Sequence, residues 1–136
     1  MLINLSNHPS EKWGIEQTNA VFQQYGHVED LAFPAIDPYA EEDEILELAE
    51  DFLLQCMELF ADFEHHNPQS QGQHAVHIQG EFTFVYALVR MLERKGISCV
   101  ASTTLRVAHV DENGNKTSVF KFIQFRAYKS VNEITN

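Results

Sequence analysis

The sequence predicts an α/β fold: a Rossmann-like, mainly parallel sheet with helices on both faces and a C-terminal antiparallel hairpin. Three observations lead there. Short apolar runs alternate with longer amphipathic stretches in the order β-α-β-α-β-α-β, which a parallel sheet with right-handed crossovers accommodates. Gly26 and Gly96 stand where two of the helical stretches must end. Asn113-Gly114 then divides two extended runs, a strong hairpin signal. The chain has 136 residues and 44 % apolar residues, with no repeat and no Gly/Ser/Pro linker, so residues 1–136 are expected to form one domain.

Taken in order, Leu2 to Ser6 reads as a strand broken by Ser6-Asn7-His8-Pro9-Ser10. A helix is expected from Ser10 to about Tyr25, and a second strand from Val28 to Phe33, before Pro34 and Pro38 mark a loop. Glu41 to Glu64 is the clearest helix, since Ile45, Ala49, Phe52, Leu53, Cys56, Phe60 and Phe63 recur on one face. The acidic residues at its start suit a helix N-terminus, as His65 and His66 suit its end. His74 to Gln79 is the third strand, Phe82 to Lys95 the third helix and Ile97 to Thr103 the fourth strand. A two-residue turn at Asn113-Gly114 would set Leu105 opposite Phe122, Arg106 opposite Lys121 and Val107 opposite Phe120. Ile97 to Asp111 is nearly continuous, roughly 45–50 Å if extended, so the hairpin should project past the sheet's carboxyl edge.

Composition narrows the function. Net charge is −11 with histidines neutral, which disfavours long nucleic acid as a partner. No window reaches the apolar length of a membrane span, and Met1-Leu-Ile-Asn-Leu5 is too short for a signal-peptide core, so a cytoplasmic protein is expected. Cys56 and Cys99 lie in apolar stretches and read as buried free thiols. His74-x-x-His77 does not read as a metal site, because residues three apart on a strand face opposite ways. His65-His66 lacks supporting ligands, and no P-loop, G-x-G-x-x-G or G-x-S-x-G occurs. Neither metal nor cofactor is expected.

In open α/β sheets ligands collect outside the carboxyl ends of strands, where strand order reverses. For the order 2-1-3-4 that point lies between strands one and three. Ser6, Asn7 and His8 are there, as are Gln79, Gly80, Glu81, Phe82 and Thr83. Both loops lead into helices whose free N–H groups can hold an anion. Gly80 would let the backbone approach a ligand, although turn geometry is an equal reason for glycine. Ser6, Asn7 and Thr83 are also ordinary helix caps, and Glu81 opposes an anion unless it accepts a ribose hydroxyl or adenine amine. Arg106 facing Lys121 would be an unfavourable pair relieved by a phosphate, or Lys121 would turn into water.

Asn4-Leu-Ser-Asn-His8, Gln79-Gly-Glu-Phe-Thr83, Ser102-Thr-Thr104, Ser118-Val-Phe-Lys-Phe122 and Phe125-Arg-x-Tyr128 together resemble small stand-alone CRISPR-associated proteins related to the CARF sensor domains of type III systems. The resemblance spans most of residues 2–128, apart from Asp37 to Gln73. It implies a homodimer that recognises a cyclic oligoadenylate second messenger. Some relatives are ring nucleases, in which a ribose 2′-hydroxyl attacks the neighbouring phosphate without a metal; others only bind. By position, Ser6, His8, Thr83 and Arg106 suit catalysis. Asn7, Gln79, Gly80, Glu81, Phe82, Ser102, Thr103, Thr104 and Lys121 suit ligand binding. Three functions compete: a ring nuclease, a non-catalytic sensor or sponge for the same ligand, and a regulatory module that binds a partner protein.

Overall fold

The computed structural model describes residues 1–70 and 73–131. A five-stranded sheet runs β2-β1-β3-β4-β5, with β1 Leu2–Leu5, β2 Val28–Asp30, β3 Ala75–Ile78, β4 Ser98–Val110 and β5 Lys116–Ala127. The first four strands are parallel neighbours, and β5 returns antiparallel to β4. The α/β class, the strand order of the parallel part and the C-terminal hairpin agree with the sequence reading.

Strand alternation sorts the core. Ile3, Leu5, Val76, Ile78 and Cys99 point to the face covered by α2 (Glu42–His66) and α3 (Phe82–Arg94), where they meet Ile45, Ala49, Phe60, Phe84, Leu88 and Leu92. Leu2, Ala75 and Val100 point to the opposite face, covered by α1 (Ile15–Gln24) through Val21, with Trp13, Tyr25 and Phe125 packed around them. β1 and β3 are buried along their whole length, as expected for inner parallel strands. Among the described residues no helix is long and apolar enough to cross a membrane. Cys56 and Cys99 are free and buried, as expected.

Local chemistry explains where element bounds differ from the sequence reading. Residues Ser10–Lys12 form a single 3-10 turn, and α1 starts only at Ile15. Ser10 is diverted from capping: its N–H and hydroxyl both donate to the Asp30 carboxylate on β2. β2 stops at Asp30 rather than Phe33, because Leu31 and Phe33 turn into the α2–α3 core. At the head of α2, the Glu41 N–H donates to the Glu44 carboxylate at 2.9 Å, closing a capping box.

The hairpin register is the main correction. Arg106 stands opposite Phe120, Leu105 opposite Lys121, and Val107 opposite Val119. The turn is one residue longer than a two-residue loop. Asp111 N–H donates to the Asn115 carbonyl, Gly114 N–H to the Asp111 carbonyl, and the Asp111 carboxylate accepts from the N–H groups of Asn113 and Asn115. Gly114 takes φ +80°, a left-handed position that favours glycine. One residue of slip reverses every side chain, so Arg106 and Lys121 lie on opposite faces of the ribbon. A further irregularity at Thr103/Thr104 leaves Ile123 as an extra residue on β5.

Candidate functional site

Only Ser98–Val100 of β4 lie beside β3, so the rest of β4 and its partner β5 form an arm past the carboxyl edge. Between this arm and the loop after β1 opens a cleft of about 910 Å³. His8, Trp13, Gln17, His77, Gln79 and Ser102 line its base; Val107, Phe120, Lys121 and Phe122 line it from the arm. It occupies the switch point between β1 and β3, and its volume is that of a small-molecule site.

The base of the cleft is a polar row crossing three strands. Asn4 on β1 is in register with His77 on β3, and Ser102 on β4 points to the same α1-covered face. Asn4 and His77 are buried. A buried polar side chain in an inner strand needs partners, and the row provides them. Asn4 Nδ2 donates to Asp30 Oδ1 at 2.8 Å and to the His8 carbonyl at 2.9 Å. Both partners only accept, which fixes the amide and leaves Asn4 Oδ1 as acceptor. Oδ1 takes the Ser6 hydroxyl at 2.8 Å and His77 Nδ1 at 2.9 Å. His77 therefore carries its proton on Nδ1 and presents a lone pair at Nε2.

Two oxygens meet that lone pair. Ser102 Oγ lies 2.8 Å away and donates to it, while accepting from Gln17 Nε2 at 2.9 Å. Gln79 Oε1 also lies 2.8 Å away, held in place by the Ser102 N–H at 3.0 Å. Gln79 Oε1 can only accept, so it is satisfied by His77 when a proton sits on Nε2. Burial lowers the His77 pKa to about 4; the Gln79 bond opposes this, and His8 adds a smaller push downward. His77 is neutral at pH 7. Its ring is enclosed by the edge of Trp13 at 5.3 Å and by Phe125 at 5.7 Å. The row has the order orienter, proton acceptor, hydroxyl, with the hydroxyl on the cleft.

The residues singled out in the sequence divide between this cleft and other places. His8, Gln79, Ser102, Thr104 and Lys121 line the cleft. Ser6 adjoins it, bonded to Asn4 and the His8 carbonyl. Asn7 is exposed beside it. Thr103 donates its hydroxyl to the Gln124 carbonyl on the hairpin. Arg106 is not a clamp with Lys121; its Nε donates to Ser118 Oγ at 3.0 Å.

Gly80, Glu81, Phe82 and Thr83 depart furthest from the anion cradle expected of them. The Glu81 carboxylate accepts from the N–H groups of Thr83 and Phe84 and from the Thr83 hydroxyl, so the start of α3 already holds an anion. These bonds keep the Glu81 pKa below its ordinary value. Phe82 is exposed, and Thr83 lines a different groove between α2 and α3. Gly80 is glycine because a Cβ there would fall 2.2 Å from the Phe33 ring, which packs edge-on against Phe84.

The family comparison follows the same extent as the fold. The model of the Uncharacterized protein MJ1673 family matches residues 1–126. The chain belongs to the MJ1673 family. The match takes in β1 to β5 almost to the end of β5, and so includes every residue of the MJ1673-family cleft named above. No curated protein and no solved structure matches the chain.

Sequence reasoning missed Asn4, Trp13, Gln17, Asp30 and His77. His77 was considered only as a metal ligand. Its real signal was a polar residue inside the apolar run Ala75–Ile78, matched by Asn4 inside Leu2–Leu5. Pairing those strands in parallel sets the two side by side.

Proposed function

We propose that the cleft binds a cyclic oligoadenylate and opens it, so that the protein ends or buffers a second-messenger signal of type III CRISPR immunity. The observation that carries the reading is the Asn4–His77–Ser102 row, whose hydroxyl faces a cleft at the sheet's switch point. The family resemblance in the sequence supports the ligand class. The cleft adds what such a ligand needs: Lys12 and Lys121 for phosphate, and Phe120 and Phe122 as surfaces on which a base can stack.

In this route a ribose 2′-hydroxyl donates to Ser102 Oγ as it attacks the adjacent phosphorus. Ser102 passes its own proton to His77 Nε2, where Gln79 Oε1 receives the new N–H. The bond from phosphorus to the 5′-oxygen breaks, and that oxygen leaves with a proton returned from His77. The product is linear, with a 2′,3′-cyclic phosphate. Positioning supplies most of the rate, since the attacking and attacked groups belong to one ligand. A cyclic ligand with rotational symmetry suits a site built by two copies of the chain about a two-fold axis.

A specific observation favours a second reading, binding without cleavage. A histidine held near pKa 4 is a weak proton acceptor at pH 7. Incubation with cyclic oligoadenylates of different ring size, in chelator, separates the cases. Linear products from wild type but not from His77→Gln are expected for the nuclease. Tight binding with no products selects the sponge. Absence of binding to every ring removes both.

A further inference from the structure

We propose that Gln17 is a positioning residue for Ser102: its amide fixes which way the Ser102 hydroxyl points, so that Ser102 offers the cleft a lone pair and receives a hydroxyl of the ligand. This role belongs to the cleavage reading above and rests on it. It adds a residue from outside the Asn4–His77–Ser102 row. Gln17 stands in the first turn of α1, half-buried on the cleft wall. Its Nε2 donates to Ser102 Oγ at 2.9 Å.

The direction of each proton follows from the partners. A serine hydroxyl has one proton to give and two lone pairs to fill. The Asp30 carboxylate and the His8 carbonyl only accept, so Asn4 turns its Oδ1 to His77, and His77 keeps its proton on Nδ1. The lone pair at His77 Nε2 then claims the Ser102 proton at 2.8 Å. Ser102 has no proton left for Gln17, so Gln17 must present its amide N–H and not its carbonyl. Four hydrogen bonds thus run head to tail, from the Gln17 amide through Ser102, His77 and Asn4 to the Asp30 carboxylate. Gln17 fills one lone pair of Ser102, and the other is left for a ligand in the cleft that Ser102 lines. A ribose hydroxyl brings a proton to that lone pair. An ionised phosphate oxygen brings none.

His77 alone does not hold this arrangement. A serine side chain turns about one bond with three staggered wells. The Ser102 N–H is pinned to Gln79 Oε1 at 3.0 Å, which fixes the backbone but not the hydroxyl. A second bond to Oγ, from α1, selects one rotamer. Without it the hydroxyl can swing from His77 to a phosphate oxygen of the ligand, and the lone pair that takes the ribose proton turns away. A donor on Oγ also polarises the O–H towards His77, as in any head-to-tail chain of hydrogen bonds. Gln17 therefore acts through Ser102 and touches no reacting atom itself.

Two substitutions separate the donor from the bulk of the side chain. Gln17→Met keeps length and volume but has nothing to donate; Gln17→Lys changes shape but keeps a donor. The probe is the cyclic oligoadenylate that wild type binds best from a panel of ring sizes, in chelator. Gln17→Met should slow single-turnover opening by about ten- to hundredfold, with affinity unchanged. Gln17→Lys should recover most of that rate. Nitrogen NMR of His77, without nucleotide, should show the proton on Nδ1 in wild type and both variants, because Asn4 sets it; the loss then lies at Ser102. Circular dichroism should not change. Gln17→Met as fast as wild type overturns the proposal, as does a loss matched by lost affinity, or Gln17→Lys no faster than Gln17→Met. A proton on Nε2 in wild type overturns it too, since the chain then runs the other way. So does a ring that is bound and never opened, because no proton transfer is left to position. No binding of any ring by wild type instead rejects the ligand reading itself, and this role with it.

Discussion

Ser102 Oγ lies 2.8 Å from His77 Nε2, on the one ring nitrogen that the Asn4 amide leaves without a proton. The pair is set by strand register: β1, β3 and β4 each place one polar side chain on the same face of the sheet. Ser102→Ala should remove the hydroxyl that reaches the cleft while leaving the fold intact, because Ser102 is only partly buried. Any turnover of a cyclic oligoadenylate should then fall by about 10²–10⁴-fold, the usual contribution of proton transfer. Affinity should change little. Equal loss of affinity and rate would show that Ser102 binds ligand and moves no proton.

His77 makes stability depend on pH. Its folded pKa of about 4 lies below the ordinary 6.5. Between those values the unfolded chain binds a proton that the folded chain refuses. Stability is therefore complete above about pH 6.5 and falls as pH drops towards 4, by about 3 kcal/mol for this group. Urea unfolding of wild type and His77→Gln at pH 7 and pH 4.5 checks it. The variant is expected to be less stable at pH 7 yet to lose less on acidification; equal losses would mean that His77 titrates normally.

The fold was legible because its signals are local. Alternating runs, glycine stops and Asn113-Gly114 each state their element within a few residues. The register was not, because Asp111 adds a residue to the turn by binding two N–H groups, an event that Asn-Gly alone does not announce. For the site, the switch-point rule named His8 and Gln79, and the family resemblance named Ser102; all three line the cleft. The rule failed at Thr83, where Glu81 had to be read as the cap itself rather than as an obstacle to phosphate. His77 and Asn4 were hidden because a buried polar pair is a long-range fact, separated by 73 residues in the chain.

Gly80 should be intolerant of a side chain. Gly80→Ala forces a methyl against the Phe33 ring, which is itself packed on Phe84. A loss of about 1–3 kcal/mol is expected from such overpacking. Adding Phe33→Leu, which removes the ring, should recover part of it. If Gly80→Ala melts as wild type does, the ring moves freely and the contact is unimportant. Ligand affinity should follow stability here, not an independent loss, since Gly80 does not line the cleft.

Cys56 and Cys99 are both held up to about 12 by burial, so at pH 8 neither is a thiolate. Native protein should resist iodoacetamide for hours, whereas protein in denaturant should take up two labels. The readout is intact mass. Rapid labelling of folded protein at either position would mean that the α2–α3 side of the core opens readily.

The corrected register separates Lys121 from Arg106, and that separation is testable in binding. Lys121 lines the cleft, whereas the Arg106 guanidinium is engaged with Ser118 on the ribbon. If a phosphate-bearing ligand occupies the cleft, removing a cation that touches it costs about 1.5–3 kcal/mol, roughly ten- to hundredfold in affinity. Lys121→Ala should show that loss, and its affinity should depend less steeply on salt, because one fewer phosphate is neutralised. Arg106→Ala should change monomer-level affinity by much less. Titration calorimetry at two salt concentrations measures both effects. Were Arg106→Ala the more damaging change, the Arg106 guanidinium rather than Lys121 would be holding the phosphate, and the assignment of Lys121 to that role would fall.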